Sequence, residues 1–282
     1  MNLVDTAPVY GFGHSEEIVG KALQGRRHKA LIATKVGLDW SGEGIVRNST
    51  PRRLRRELED SLKRLKTETI DIYRVHWPDE ATAFKETAKT LDNFLREGKI
   101  RAIGISNYSP EQMDRFRQAT PIATIQPPYY LFEREIEHDV LLYAKKHDIV
   151  VLAYGALCRG LLAGKITADT KFDGDDLRNN DPKFQAPRRA QYLAAVAKLD
   201  ALAKDKFNKS VLALAVRWIL DRGDTIALWG ARLPSQLDDI GDVMGWTIDD
   251  ATTGEIDAIL DETVTDPVGP EFMAPPPSAK AA

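Results

Sequence analysis

The strongest constraint in this chain is a rhythm: short apolar runs alternate with amphipathic stretches along almost its whole length. Leu3-Val4, Leu31–Lys35, Ile70–Val75, Ala102–Ile105, Ile122–Gln126, Ile149–Ala153 and Thr225–Trp229 read as strands. Ser15–Leu23, Pro51–Leu65, Ala83–Arg96, Pro110–Arg117, Ile136–His147, Ala190–Lys204, Ser210–Leu220, Pro234–Met244 and Asp250–Leu260 read as helices. In the second of these, Leu54, Leu58, Leu62 and Leu65 fall at helical spacing, with Thr50 as cap and Pro51 in the first turn. Ser15 is the expected cap of the first. A polar segment, Ile166–Pro187, interrupts the pattern. Strands that follow one another through helices lie parallel, because the crossover returns the chain to the same end of the sheet.

An open doubly wound sheet and a closed (β/α)8 barrel both satisfy this alternation. The barrel is preferred because polar residues recur just past the strand ends: Asp5, Lys35, His76, Ser106-Asn107, Gln126 and Tyr154. In a barrel those ends converge on one face, where active sites are built. The 282 residues suit one such domain. Residues 1–264 are expected to form it, with 265–282, rich in Pro and Ala, as a poorly ordered tail. The count gives about seven strands where a barrel has eight, and the first strand of the pattern is the one expected to be missing. A misassigned start, a truncation or another filling segment would each account for it; truncation is favoured.

Composition excludes several functions. The 39 basic and 42 acidic residues leave a net charge of −3 without long single-sign blocks, so neither nucleic acid nor a membrane is expected as partner. The single cysteine, Cys158, cannot form an internal disulfide. The N-terminus has no signal-peptide character, and a cytoplasmic protein is expected. No metal site is expected, since His14, His28, His138 and His147 lack ligand spacing and read as surface residues. Gly11-Phe12-Gly13 lacks the third glycine and the strand–turn–helix context of a dinucleotide fingerprint.

Asp5, Tyr10, Lys35 and His76 together describe a chemistry. Reducing a carbonyl requires a hydride source, a proton donor and a group that polarises the oxygen. A free phenol, with a pKa of about 10, is a weak acid near neutrality. A nearby ammonium favours the phenolate, an aspartate keeps the buried lysine charged, and a histidine can donate to the substrate oxygen. Alone, each residue reads as an ordinary turn, cap or packing residue.

Val4-Asp5-Thr6-Ala7-Pro8-Val9-Tyr10-Gly11 resembles the aldo-keto reductase signature, whose Asp and Tyr are catalytic. Thr34-Lys35 is similar to the strand that ends in the family's catalytic lysine. Tyr73-Arg74-Val75-His76-Trp77-Pro78 resembles the histidine motif, and Gly104-Ile105-Ser106-Asn107-Tyr108 the element whose Ser and Asn hold the nicotinamide carboxamide. Gln126 stands where the family has a glutamine in the same role. The resemblance runs from Asn2 to about Val243 and implies NADPH as cofactor. Tyr154 would stack on the nicotinamide. Gly155, Leu157, Arg159 and Gly160 would lie at the pyrophosphate, although the family's Tyr-Ser-Pro-Leu-Gly-x-Gly departs here to Tyr154-Gly155-Ala156-Leu157-Cys158-Arg159-Gly160. Gly230, Arg232 and Gln236 would take the adenosine end, Arg232 on the 2′-phosphate. Asp239-Ile240 replaces the family's Glu-Asn, and Ile240 cannot hydrogen-bond adenine. Trp77, Trp40, Tyr129 and the Ile166–Pro187 loop would shape a pocket for an apolar or aromatic carbonyl. The expected function is therefore NADPH-dependent reduction of an aldehyde or ketone by a monomer. A nucleotide-sensing regulatory subunit with little turnover, and a chain unable to fold alone, are the competing readings.

Overall fold

Strands buried on both faces need helices on each side, and the chain supplies them in turn. The computed structural model describes residues 1–40 and 44–277. The elements are β1 (Leu3–Asp5), α1 (His14–Ala22), β2 (Leu31–Val36), β3 (Leu38–Asp39), β4 (Val46–Arg47), α2 (Pro51–Leu65), β5 (Ile70–Val75), α3 (Phe84–Arg96), β6 (Ile100–Ser106), α4 (Pro110–Arg117), β7 (Thr124–Gln126), α5 (Val140–Lys146), β8 (Val150–Ala153), α6 (Arg188–Phe207), α7 (Val211–Leu220), β9 (Thr225–Ala227) and α8 (Asp250–Thr263). Two compact units result. One holds Met1–Pro127, Glu137–Val151 and the chain from Ala274; the other holds Pro128–Ile136 and Leu152–Met273.

In the first unit, β1, β2, β5, β6, β7 and the start of β8 pair in parallel, with Leu3 beside Leu31, Ala33 beside Ile72, Arg74 beside Gly104 and Gly104 beside Thr124. Ile32, Ala33, Thr34, Lys35 and Val36 of β2 are all buried, as a parallel strand covered on both faces must be. Behind it α2 buries Leu54, Leu58 and Leu65, each worth roughly 1.5–3 kcal/mol relative to exposure. Thr50 stands at the N-cap position of α2, as expected, although its hydroxyl caps no amide, whereas α1 starts after Gly13 and Ser15 lies within it. The Thr50 hydroxyl donates to Asn48 Oδ1 at 2.8 Å, and the Ser15 hydroxyl bonds that of Thr6 at 2.8 Å, so each is spent on a turn partner. The pair β3–β4, antiparallel with Leu38 opposite Arg47, is too short to leave a periodic signal in sequence.

In the second unit, α7 is buried from Val211 to Val216 and again at Trp218 and Ile219, with the Ser210 hydroxyl accepting from Ala213 N as its cap. Leu228 N donates to Ala153 O at 2.9 Å, joining β9 to the end of β8. The strand order is β1-β2-β5-β6-β7-β8-β9, and no eighth strand joins this sheet among the described residues. The expected helix Ile136–His147 is instead a 3-10 turn, Glu135–His138, followed by α5. The two break apart at Asp139, which caps Val140 N with φ −143°. Pro234–Val243 is likewise 3-10 rather than α-helical.

The tail is hydrogen-bonded at several points as far as Pro277. Gln191 Oε1 accepts from Thr265 N at 3.0 Å, and the Tyr192 hydroxyl accepts from Val268 N at 3.4 Å. Farther on, Arg47 donates from Nε to Pro275 O at 2.7 Å and from its backbone N to Pro276 O at 3.0 Å. A proline-rich chain keeps its carbonyls as acceptors, and an arginine supplies the donors. Residues 278–282 lie outside the described part of the chain. No helix among the described residues is long and apolar enough to cross a membrane.

Candidate active site

Three strand ends of the first unit converge on one carboxylate. Asp5 closes β1, Lys35 is the fifth residue of β2, and Arg74 is the fifth of β5. Lys35 Nζ donates to Asp5 Oδ2 at 2.8 Å and to Thr6 O at 2.9 Å. It also reaches the Tyr10 hydroxyl at 3.3 Å and lies 4.8 Å from the centroid of that ring. Tyr10 sits in the turn after β1, 45% exposed, whereas Lys35 is 1% exposed. The phenol thus opens to solvent above a buried cation.

His76 follows β5. Its ring meets that of Tyr10 edge to face, with centroids 6.0 Å apart. Burial first, then the charges of Lys35 and Arg74, hold its pKa well below the usual histidine range, so the imidazole is neutral. Burial likewise lowers the pKa of Lys35, against which the nearby Tyr10 acts. The four residues expected to act together are therefore brought together.

The ends of β6 and β7 add an amide-rich patch. The Ser106 hydroxyl donates to Gln126 O at 2.7 Å; Asn107 Nδ2 donates to His76 O at 3.0 Å and to Ser106 Oγ at 3.1 Å. Asn107 adopts φ 63°, a left-handed conformation that Asn tolerates better than most residues. Gln126 Nε2 reaches Asp5 Oδ1 at 3.2 Å, so this patch is bonded directly to the charged centre. A carboxamide needs both donors and acceptors, and these side chains carry both.

Sequence reasoning missed Arg74. Its guanidinium is fully buried and donates from Nη2 to Asp5 Oδ1. Burial works against its charge, and the ion pair with Asp5 keeps the guanidinium protonated. The available signal was a second charge, after Asp71, near the end of a largely apolar strand. The aromatic rim was partly missed as well. Phe12, 64% exposed, lies with its ring 6.0 Å from that of Trp40, and the Arg53 guanidinium lies 5.0 Å from the Trp40 ring. Trp77 carries the guanidinium of Arg47 at 5.4 Å. Tyr129, expected to line a substrate pocket, is instead wholly buried, its ring 5.0 Å from that of Trp218.

The remaining expected residues lie in the second unit. Tyr154 O accepts from Tyr129 N at 3.1 Å. The loop after it is tightly wound, with positive φ at Gly155, Cys158, Arg159 and Gly160. Cys158 N donates to Gly155 O and Gly160 N to Leu157 O, so two of its amides close turns. A side chain at Gly155 would come within 2.9 Å of the Tyr130 ring, while at Gly160 only Ile166 lies near, at 4.0 Å. Burial pushes the Cys158 thiol up to about 12, so it is no thiolate near neutral pH. Arg159 is held by Asp181 at 2.6 Å. Gly230 has open space around it. Gln236 Oε1 accepts from Arg232 N at 2.7 Å, and the Arg232 side chain, 82% exposed, lies 3.7 Å from the Asp176 carboxylate. Gly160 is half-buried and Gly230 exposed.

The aldo/keto reductase family profile matches residues 1–261. The chain belongs to the aldo/keto reductase family. Aldo-keto reductase YhdN of Bacillus subtilis (strain 168) is 56% identical over 279 residues, covering 98% of this chain and 84% of the relative. The NADH-specific methylglyoxal reductase of Escherichia coli (strain K12) is 34% identical over 252 residues, covering 84% of this chain and 76% of that protein. Among solved structures, the glycerol dehydrogenase AKR11B4 from Gluconobacter oxydans superposes with a TM-score of 0.88 at 57% identity, covering 97% of this chain and 85% of that one. The seven-stranded sheet and this likeness fit the α/β-barrel architecture of an aldo/keto reductase oxidoreductase.

Proposed function

We propose that this aldo/keto reductase reduces an aldehyde or ketone to the alcohol at the expense of NADPH, with Tyr10 as the general acid. The observation that carries the reading is the 3.3 Å approach of Lys35 Nζ to the Tyr10 hydroxyl, backed by Asp5 at 2.8 Å. The bound cofactor supplies hydride to the carbonyl carbon. Tyr10 gives its proton to the carbonyl oxygen as negative charge develops there. Lys35 stabilises the phenolate left behind, and Asp5 fixes the ammonium in place. Neutral His76 offers an N–H to the same oxygen without adding a charge that would compete with Lys35.

By the family resemblance, Ser106, Asn107 and Gln126 of the first unit would hold the nicotinamide carboxamide. In the second unit Tyr154 would meet its ring, and Gly155, Leu157, Arg159 and Gly160 would receive the pyrophosphate. Gly230, Arg232 and Gln236 would take the adenosine end, and the exposed Arg232 would favour NADPH over NADH by pairing with a 2′-phosphate. Trp77 and Trp40 form the substrate wall and favour an apolar or aromatic carbonyl. NADPH consumption with 4-nitrobenzaldehyde, compared between the native protein and Tyr10→Phe, tests the reading. The variant should lose about 10²–10⁴-fold in kcat. Equal, slow rates in the two proteins would refute it.

A further inference from the structure

Two buried cations share one carboxylate beside Tyr10. Lys35 takes Asp5 Oδ2 and Arg74 takes Asp5 Oδ1. Arg74 has no other hydrogen bond among the described residues: its Nε and Nη1 are buried without partners. A buried arginine with two unsatisfied donors is costly, so its retention calls for a role beyond packing. The neighbouring strands make room for it. A Cβ on Gly104 of β6 would overlap Arg74 Cγ and Thr124 Oγ1 of β7. Only glycine at position 104 lets the arginine stem pass.

The groups facing this centre in the first unit are Asp5 from β1, Tyr10 from the following turn, Lys35 from β2, and Arg74 and His76 from β5. The amide of Gln126 comes from β7, and buried Glu16 of α1 acts on Lys35 from behind the strand. With His76 neutral, the centre carries one negative and two positive charges. It becomes balanced when Tyr10 gives up its proton.

We propose that Arg74 is a positioning residue for the reaction: by occupying one oxygen of Asp5 it leaves the charge of Lys35 available to the phenolate of Tyr10. The inference rests on the function proposed above. Without Arg74 the carboxylate would cancel Lys35 alone, and the phenolate would lose its counter-charge. Reduction requires the protonated phenol, so its rate falls on the alkaline side, and oxidation of an alcohol requires the phenolate. Removing the charge therefore moves the alkaline limb of the reduction profile upward.

The test compares Arg74→Gln, which keeps a donor for Asp5 but no charge, with Arg74→Lys, which keeps the charge. Two readouts are taken on each. One is the pH profile of kcat with NADPH. The other is the near-ultraviolet tyrosinate titration, taken as the difference between each protein and its Tyr10→Phe counterpart. The limb and the titration midpoint should rise by about one pH unit in Arg74→Gln and stay in place in Arg74→Lys. An unmoved Arg74→Gln, or an Arg74→Lys displaced as far, overturns the proposal. If Arg74→Gln does not fold, Arg74→Lys decides alone, because a shift there contradicts a role exerted through charge. If the native protein turns over no carbonyl, the functional reading fails, and the titration still decides the role of Arg74.

Discussion

Glu57 of α2 gives the protein a pH dependence of stability that one substitution should remove. The side chain is buried, and burial pushes its carboxyl up from 4.5 to about 8. Arg53 at 3.4 Å and the Gly37 amide at 3.1 Å pull the other way without cancelling the loss of water. The folded chain thus keeps a proton that the unfolded chain releases. A raised carboxyl contributes its full stability below the unfolded value and loses it as pH climbs through the folded one. The window here runs from 4.5 to about 8. One proton is worth about 1.4 kcal/mol per pH unit, which sets a ceiling of about 5 kcal/mol for the whole window. Glu57→Gln keeps the shape and an acceptor for Gly37 N while removing the titration. Urea unfolding of both proteins at pH 5 and pH 8 measures the effect. The stability of the native protein relative to Glu57→Gln should fall by about 2 kcal/mol or more between them. A difference that stays flat across that range refutes the argument that Glu57 is buried as the acid.

Other perturbations probe the remaining links. Gly104→Ala should cost about 1–3 kcal/mol by crowding Arg74 and Thr124, and Thr124→Ala in the same chain should recover part of it; an unchanged urea midpoint would show that the strands can part. Arg232→Ala should raise the KM for NADPH by about tenfold with little change for NADH, read from initial rates, because only NADPH carries the 2′-phosphate. The same variant should keep its melting temperature, since that side chain is 82% exposed.

How much of this was legible in sequence depended on how each residue acts. Lys35 and His76 could be found because each ends an apolar run, and Tyr10 because it stands in a turn beside Asp5. Position along the chain was enough to place them on one face. Ile70–Val75 and Pro110–Arg117 were legible to the residue, one as a β-branched and aromatic run despite Asp71 and Arg74, the other through its leading proline. Aromatic character alone does not tell a pocket wall from a core, so the packing of Tyr129 on Trp218 was not legible. Nor were the hydrogen bonds of the tail, whose partners Arg47 and Gln191 lie far off in sequence. The hydroxyls of Thr50 and Ser15 cap no amide because nearby Asn48 and Thr6 bind them.

Arg74 was overlooked for a reason specific to parallel strands. A strand covered on both faces offers no polar side on which a charge would be expected, so the charge reads as an irregularity. The register supplies the missing context: Arg74 lies beside Gly104, and Gly104 beside Thr124. The same logic applies on both sides of β2. Thr34 turns toward the helices and donates to buried Glu16 at 2.7 Å, which Arg64 pairs at 2.7 Å, while Lys35 turns the opposite way to Asp5. Adjacent residues of one strand thus anchor separate ionic networks on opposite faces. Holding β2 from both sides limits the freedom of Lys35, whose proposed role depends on keeping its amine at the phenol.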